Sequence, residues 1–345
     1  MENSPRKSLK MVSCPACQAK QFIPGDLAPL ERVACTKCGK WVMMPMMLRQ
    51  YELRSEIASG GMGTVYRAWD TALHREVAVK LMKKEFAEDE AAVNSFAVEA
   101  RACAQVNHTN IIHIYTFDYH EGYRFLAMEI ADDGTLDSRI EKGGTVPELD
   151  VLDTGIKVAG ALQAALKRGL LHLDIKPGNI LFSDDGEPKV VDFGLAKKAD
   201  AETDAYAPIF GTPYYIAPER VRQEGDTFLC DIYSLAGTLY HALTGHVPFE
   251  APSVEDVVAA HLAIPLKPAS DVNAAVSRPT SDALSRAMAK DPRERFQSYD
   301  EFIMALTAAR SQVLIRQLTG REPDPGVVAT PGAAPASPTR SWWRR

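Results

Sequence analysis

The feature that most constrains this chain is a change of periodicity near Leu136. Ahead of it, apolar residues alternate in short runs: YELRSEI and TVYRAWD flank a glycine cluster, EVAVKLM follows, and NIIHIYTFDY and YRFLAMEI come later. Alternation at period two marks half-buried strands. One segment among them, EDEAAVNSFAVEARACAQV, has helical spacing. Beyond Leu136 the spacing is helical in LDVLDTGIKVAGALQAALKRG, DIYSLAGTLYHALTG, SVEDVVAAHLA, TSDALSRAMAK and YDEFIMALTAARSQVLIRQL. A strand-rich unit followed by a helix-rich one predicts an α+β, two-lobed layout with a ligand cleft between the lobes.

Composition divides the chain further. Residues 1–47 hold four of the six cysteines and close on the Met/Pro-rich stretch MMPMML. Residues 48–318 read as one α/β body, with lobes at about 48–130 and 131–318. Residues 319–345, including REPDPGVVATPGAAPASPTRS and a terminal Trp342-Trp343-Arg344-Arg345, are too poor in core-forming residues to pack and are expected to be disordered. No apolar run reaches the roughly 18 residues of a membrane span. The N-terminus MENSPRKSLKMVSC lacks the apolar region of a secretory signal. A cytoplasmic, reducing setting is therefore expected, in which cysteines serve as metal ligands or buried thiols.

Charge is uneven. The first 50 residues carry eight Lys/Arg against three Asp/Glu, while the whole chain has a net charge of −6. The acidic excess thus lies in the body, which argues against nucleic-acid binding there. The basic N-terminal piece is the one place left for such a partner.

That piece contains Cys14-Pro-Ala-Cys17 and Cys35-Thr-Lys-Cys38, separated by 17 residues. Each Cys-x-x-Cys turn brings two thiolates onto one ion, and two turns make a closed tetrahedral set suited to structural Zn2+. Gly39 suits the positive φ that such a turn needs. A redox Cys-x-x-Cys is the alternative, but it expects a βαβ context and leaves the second pair unexplained. The segment resembles a zinc ribbon, whose folding should require the metal. Cys103 and Cys230 lie in apolar helical surroundings and read as inert core thiols.

The body carries a second kind of chemistry. Ile57-Ala58-Ser59-Gly60-Gly61-Met62-Gly63-Thr64-Val65-Tyr66 places three glycines between two strands, where backbone N–H groups can approach phosphate oxygens. Alone, such a cluster also suits an ordinary hairpin. Val77-Ala78-Val79-Lys80 ends an apolar run in a lysine, which requires an anion if it is not solvated. Glu99 on the following helix is a candidate partner. Asp174, Lys176 and Asn179 share a loop broken by Pro177 and Gly178. Asp192 ends the apolar run KVVD beside Phe193-Gly194, and with Asn179 it offers the oxygen ligands that Mg2+ favours.

In order and spacing these pieces resemble the eukaryotic-type (Hanks-type) serine/threonine protein kinases. The resemblance runs over roughly residues 51–310 and extends to Gly211-Thr212-Pro213-Tyr214-Tyr215-Ile216-Ala217-Pro218-Glu219, to Asp231-Ile232-Tyr233-Ser234-Leu235-Ala236-Gly237 and to Arg295. It implies the protein kinase fold, with ATP and Mg2+ (or Mn2+) as cofactors and protein Ser/Thr hydroxyls as acceptors. Asp174 would be the catalytic base and Lys176 would offset charge at the γ-phosphate. Lys80, paired with Glu99, would hold the α/β-phosphates, and Asn179 and Asp192 would bind the metal. Ile57, Gly60, Gly61, Gly63, Val65, Ala78, Met128, Glu129, Ala131 and Leu181 would form the nucleotide pocket, with Met128 as gatekeeper. Glu219 and Arg295 would form a structural ion pair. Lys176 and Thr212 resemble the serine/threonine branch rather than the tyrosine branch. The same residues in a pseudokinase would make an ATP-binding scaffold, and a zinc-module nucleic-acid-binding regulator is the third reading.

Two positions depart from the family pattern. Ala58 stands where the first glycine of the loop is usual. Leu173 stands where an Arg usually precedes the catalytic Asp and pairs with a phosphate on the activation segment, here residues 192–219. A leucine cannot take that charge. Activity is therefore expected not to depend strongly on phosphorylation of that segment, for example at Thr203.

Overall fold

The computed structural model describes residues 8–61, 63–193, 197–198 and 213–319. Thr203 and Thr212, and the tail expected beyond Thr319, lie outside the described residues. Two hairpins open the chain. β1 (Leu9–Ser13) pairs antiparallel with β2 (Lys20–Pro24), and β3 (Arg32–Ala34) with β4 (Trp41–Met43). Each hairpin is tipped by a Cys-x-x-Cys turn, and the two turns are built alike. Gln18 N–H donates to the Cys14 carbonyl and Gly39 N–H to the Cys35 carbonyl, both at 2.9 Å. Gly39 has the expected positive φ, +73°, and Gln18 occupies the equivalent place at +59°. Val12, Ile23, Val42 and Met44 pack beside Cys14 and Cys35 in a very small core. A core of that size needs a further cross-link to hold.

β5 (Met46–Leu48) leads into a six-stranded antiparallel sheet with β6 (Tyr51–Ser59), β7 (Gly63–Asp70), β8 (Arg75–Met82), β9 (Ile114–His120) and β10 (Tyr123–Met128). The strand order is β5-β6-β7-β8-β10-β9. The Met/Pro-rich stretch expected to close the first segment is thus partly a sheet strand, with Met46 and Leu48 buried. Met43 and Met46 join the sheet's own core with Tyr51, Leu53 and Phe125. The helix α1 (Glu90–Gln105) lies between β8 and β9 in the chain and is capped by Asp89, whose carboxylate accepts from the Ala91 and Ala92 N–H groups.

The run NIIHIYTFDY is a strand only from Ile114. Its first part instead bonds to the other lobe: Ile112 N–H donates to the Val190 carbonyl and Val190 N–H to the Asn110 carbonyl. Alternation signals an extended chain but not which backbone it pairs with.

The second lobe contains α2 (Leu136–Gly143), α3 (Glu148–Leu166), the short strands β11 (Leu170–Leu171), β12 (Ile180–Phe182), β13 (Pro188–Val190) and β14 (Lys197–Lys198), then α4 (Pro218–Val221), α5 (Phe228–Thr244), α6 (Val254–Ala263), α7 (Ala269–Val272), α8 (Arg278–Ala287) and α9 (Tyr299–Thr319). β12 and β13 form a hairpin, and β11 pairs with β14. α5 is apolar nearly all round and is buried over most of its length, packed against α3 and α8. This buried helix is the fixed frame on which the loops facing the first lobe are mounted. Among the described residues no helix is long and apolar enough to cross a membrane.

Candidate active site and cysteine cluster

A cleft of about 540 Å3 opens between the lobes. The first lobe lines it with Ile57 and Val65, on the strands either side of the glycine turn, and with Gly60 and Gly63 from the turn itself. Gly63 cannot be larger: a Cβ there would meet the Leu81 carbonyl oxygen at 2.9 Å. Ala78 and Lys80 reach the cleft from β8, and Met128, Glu129 and Ala131 from the end of β10 and the connection beyond it. Leu181 of β12, Asn179 and Asp192 form the opposite wall. Gly61 lies at the tip of the turn, outside the lining. Lys80 sits between Val65 of β7 and Leu126 of β10 in the sheet register, with its ammonium 5.7 Å from the Phe96 ring centre on α1. Glu99 is on the same helix, and its side chain lies outside the described residues.

Beside the cleft, the loop after β11 holds three of the expected groups together. Lys176 Nζ is 2.7 Å from Asp174 Oδ2. Asn179 Nδ2 donates to the same oxygen at 3.1 Å and to the Asp174 carbonyl at 2.8 Å. The amide's donor end is thereby committed to Asp174. Asp192 has φ +65°, a left-handed conformation that a non-glycine residue holds only where its surroundings impose it. The His172 ring makes that connection: it bonds to the Val191 carbonyl at 3.0 Å and packs 4.5 Å from the Phe193 ring. The Asp174 loop and the Asp192 segment are therefore tied to each other.

A cleft lined by a glycine turn, a strand lysine and two metal-type oxygens, beside a carboxylate held by a lysine and an amide, decides the comparison with known proteins. Residues 51–305 match the protein kinase domain family. The chain belongs to the protein kinase family. It is 36% identical over 255 residues to a probable serine/threonine-protein kinase of Clostridium perfringens, covering 74% of this chain and 37% of that protein. It is 37% identical over 248 residues to the serine/threonine-protein kinase PknL of Mycobacterium tuberculosis, covering 72% of this chain and 62% of that one. This chain therefore spans less than two thirds of the length of either relative.

Two residues of the kinase site have roles set by partners far along the chain. Asp231, read only as part of a motif, is wholly buried on α5 and accepts from the His172 and Leu173 N–H groups at 2.9 and 2.7 Å. Burial pushes its carboxyl up, against the pull of His172 and of those two N–H groups. Arg220, not singled out in the sequence, donates to the Leu173 carbonyl at 2.6 Å. Cys103, expected as an inert core thiol, is buried on α1 and lines the cleft.

The four cysteines of the hairpin tips converge. One ligand atom from each lies within 4.8 Å of the others, with Cys14 and Cys38 sulfurs 3.6 Å apart and Cys17 and Cys35 sulfurs 3.8 Å apart. A tetrahedron with Zn–S bonds of about 2.3 Å has edges of about 3.8 Å, so the donor set fits Zn2+. Backbone N–H groups of Cys38 and Lys37 pull the Cys35 thiol down to about 6. At Cys38 the pull of the Lys40 N–H is outweighed by desolvation and the other three thiols, which push it up to about 12. One thiol of the set thus ionises readily, and a bound cation would be needed to deprotonate Cys38.

Proposed function

We propose that this kinase transfers the γ-phosphoryl group of MgATP to serine or threonine hydroxyls of protein substrates. The observation that carries the reading is the Asp174 carboxylate, held by Lys176 and Asn179 at 2.7 and 3.1 Å beside the cleft that Lys80 and Asp192 line.

In this reading Asp174 accepts the proton of the attacking hydroxyl, and Lys176 offsets charge at the transferred group. Lys80, steadied by Glu99, meets the α/β-phosphate oxygens under the glycine turn of Gly60, Gly61 and Gly63, whose shape is closed by the Gly60 N–H donating to the Gly63 carbonyl at 2.9 Å. Asn179 and Asp192 would hold Mg2+ (or Mn2+), which would neutralise charge on the phosphates. Val65 and Ala78 pack above the adenine and Leu181 below it, with Met128 limiting its depth. Glu129 already gives its N–H to the His113 carbonyl and its carboxylate to Lys189 Nζ at 2.6 Å. The Glu129 carbonyl and the backbone at Ala131 are thus left to meet the base. The four cysteines hold structural Zn2+ in a module over residues 1–47, followed by the kinase domain over 48–318 and a tail over 319–345.

The Leu173 side chain is 2% exposed and packs in the core of the second lobe, which supports turnover that does not depend strongly on a phosphate on the activation segment. The test is phosphate transfer from MgATP to a generic Ser/Thr protein substrate. Wild type should transfer, Asp192→Asn should not, and phosphatase treatment or Thr203→Ala should leave most of the turnover in place. Tight binding of a fluorescent ATP analogue without any transfer would instead identify a nucleotide-binding scaffold.

A further inference from the structure

The peptide that enters Asp174 is held at both of its polar atoms. Its carbonyl, from Leu173, accepts from Arg220 Nη1 at 2.6 Å. Its N–H, from Asp174, donates to His172 Nδ1 at 3.3 Å. Leu173 sits at φ +66°, a conformation that costs a non-glycine residue about 1–2 kcal/mol and must be imposed from outside. Asp231 supplies one restraint, on the Leu173 N–H. Arg220 supplies the other, from α4. Its own orientation is fixed in turn, because Nε donates to Asp226 Oδ1 at 3.0 Å. The Arg220 and Asp226 side chains are each only 14% exposed, so water screens the pair little. A planar guanidinium can serve two acceptors in fixed directions at once. Rotation of the Leu173–Asp174 peptide changes where the Asp174 carboxylate points, so these contacts bear directly on the group beside the cleft.

We propose that Arg220 is a positioning residue for Asp174: anchored by Asp226, it fixes the Leu173–Asp174 peptide and so aims the carboxylate at the acceptor hydroxyl. The proposal rests on Asp174 being the proton acceptor. It also gives a physical form to turnover without a phosphate on the activation segment. The basic group that steadies the catalytic loop comes from α4, next to the buried Glu219, and not from position 173. It bonds to backbone and to a fixed carboxylate, so nothing has to be added to the chain to engage it.

The test uses the full chain, MgATP and a peptide that wild type phosphorylates. Arg220→Gln should lower kcat by about 10- to 100-fold. Its KM for ATP and its affinity for a fluorescent ATP analogue should stay those of wild type, with a fall in melting temperature smaller than the loss of kcat would require, from the unpaired Asp226. Arg220→Lys should recover part of the loss, because an ammonium can still donate to the carbonyl but cannot fork to Asp226. Asp174→Asn is measured in parallel. If that variant keeps wild-type kcat, Asp174 is not the acceptor, and the functional reading and this proposal fall together. If it is inactive while Arg220→Gln turns over like wild type, the positioning role alone is overturned. A loss of nucleotide affinity and melting temperature in step with kcat, not relieved by lysine, would make Arg220 merely structural and would also overturn it.

Discussion

Arg295 donates to both carboxylate oxygens of Glu219, at 2.6 and 2.8 Å, from a side chain with no exposed surface. It also donates to the carbonyls of Ala289 and Leu229, at 2.8 and 2.9 Å, and lies over the Tyr233 ring. Cys230 adds a thiol contact to Glu219 at 3.2 Å. A buried ion pair offsets its desolvation only when its hydrogen bonds are met this fully. Removing one partner strands the other charge. Arg295→Ala should therefore cost about 3–5 kcal/mol in urea unfolding. Arg295→Lys should also destabilise, because an ammonium cannot reproduce the two parallel bonds. A loss below about 1 kcal/mol for Arg295→Ala, the range of a surface pair, would contradict this account.

Ala58 faces Val65 across the strands that lead into the glycine turn, and both line the cleft. A methyl at that point removes backbone conformations that glycine would leave open to the turn, a difference between the two residues on the order of 0.5–1 kcal/mol. Ala58→Gly should accordingly lower the KM for ATP by about 2- to 5-fold. Steady-state kinetics with varied ATP measure it directly, and unchanged KM and kcat would remove the argument.

The chemistry-bearing residues were legible because each lies in a short motif whose spacing is set by one loop or one strand. The Asp174, Lys176 and Asn179 cluster spans six positions, and the two Cys-x-x-Cys turns repeat one hydrogen-bond pattern. Long strands and helices were legible for the same reason, since period two and period 3.6 act over neighbouring residues. What stayed hidden depends on partners far along the chain. Nothing around Arg220 indicates that it bonds to a carbonyl 47 residues earlier. The extended run at Asn110–Ile112 gives no sign that it pairs with Val190 rather than with a sheet neighbour. Met46 begins a strand because its side chain completes the core around Tyr51 and Phe125, which a Met/Pro-rich composition does not reveal.

His261 is buried on α6, with Nδ1 2.8 Å from the Tyr233 hydroxyl and its ring 4.8 Å from the Phe249 ring. Lys290 donates to its carbonyl at 2.8 Å, and the Tyr214 backbone offers the ring only a weak contact that opposes the effect of burial in part. Burial, helped by the Lys290 charge, pushes the imidazole down to about 4 from its ordinary 6.5. The unfolded chain therefore binds a proton below about 6.5 that the folded chain refuses until about 4. The stability this neutral histidine contributes is complete above that window and falls as pH drops through it, by about 3 kcal/mol in all. Unfolding free energies measured between pH 7.5 and 5 should decline for wild type. His261→Gln should show a shallower decline, and identical slopes would rule the histidine out as the cause.

The cysteine module should depend on its metal, and its loss should be felt in the first lobe. Arg32 of β3 pairs with Glu56 of β6, Lys10 of β1 lies 3.9 Å from Glu52, and Leu30 and Met43 pack on the sheet core. The hairpins have few buried side chains of their own, so the four sulfurs must be bridged for these contacts to persist. Purified protein should carry one Zn2+ per chain by elemental analysis. A strong chelator should remove it, lower the melting temperature and speed amide exchange along β6, while α5 stays protected. Cys35→Ser should behave like the chelated protein even with Zn2+ present. Unchanged exchange along β6 after complete metal removal would show that the hairpins hold without it.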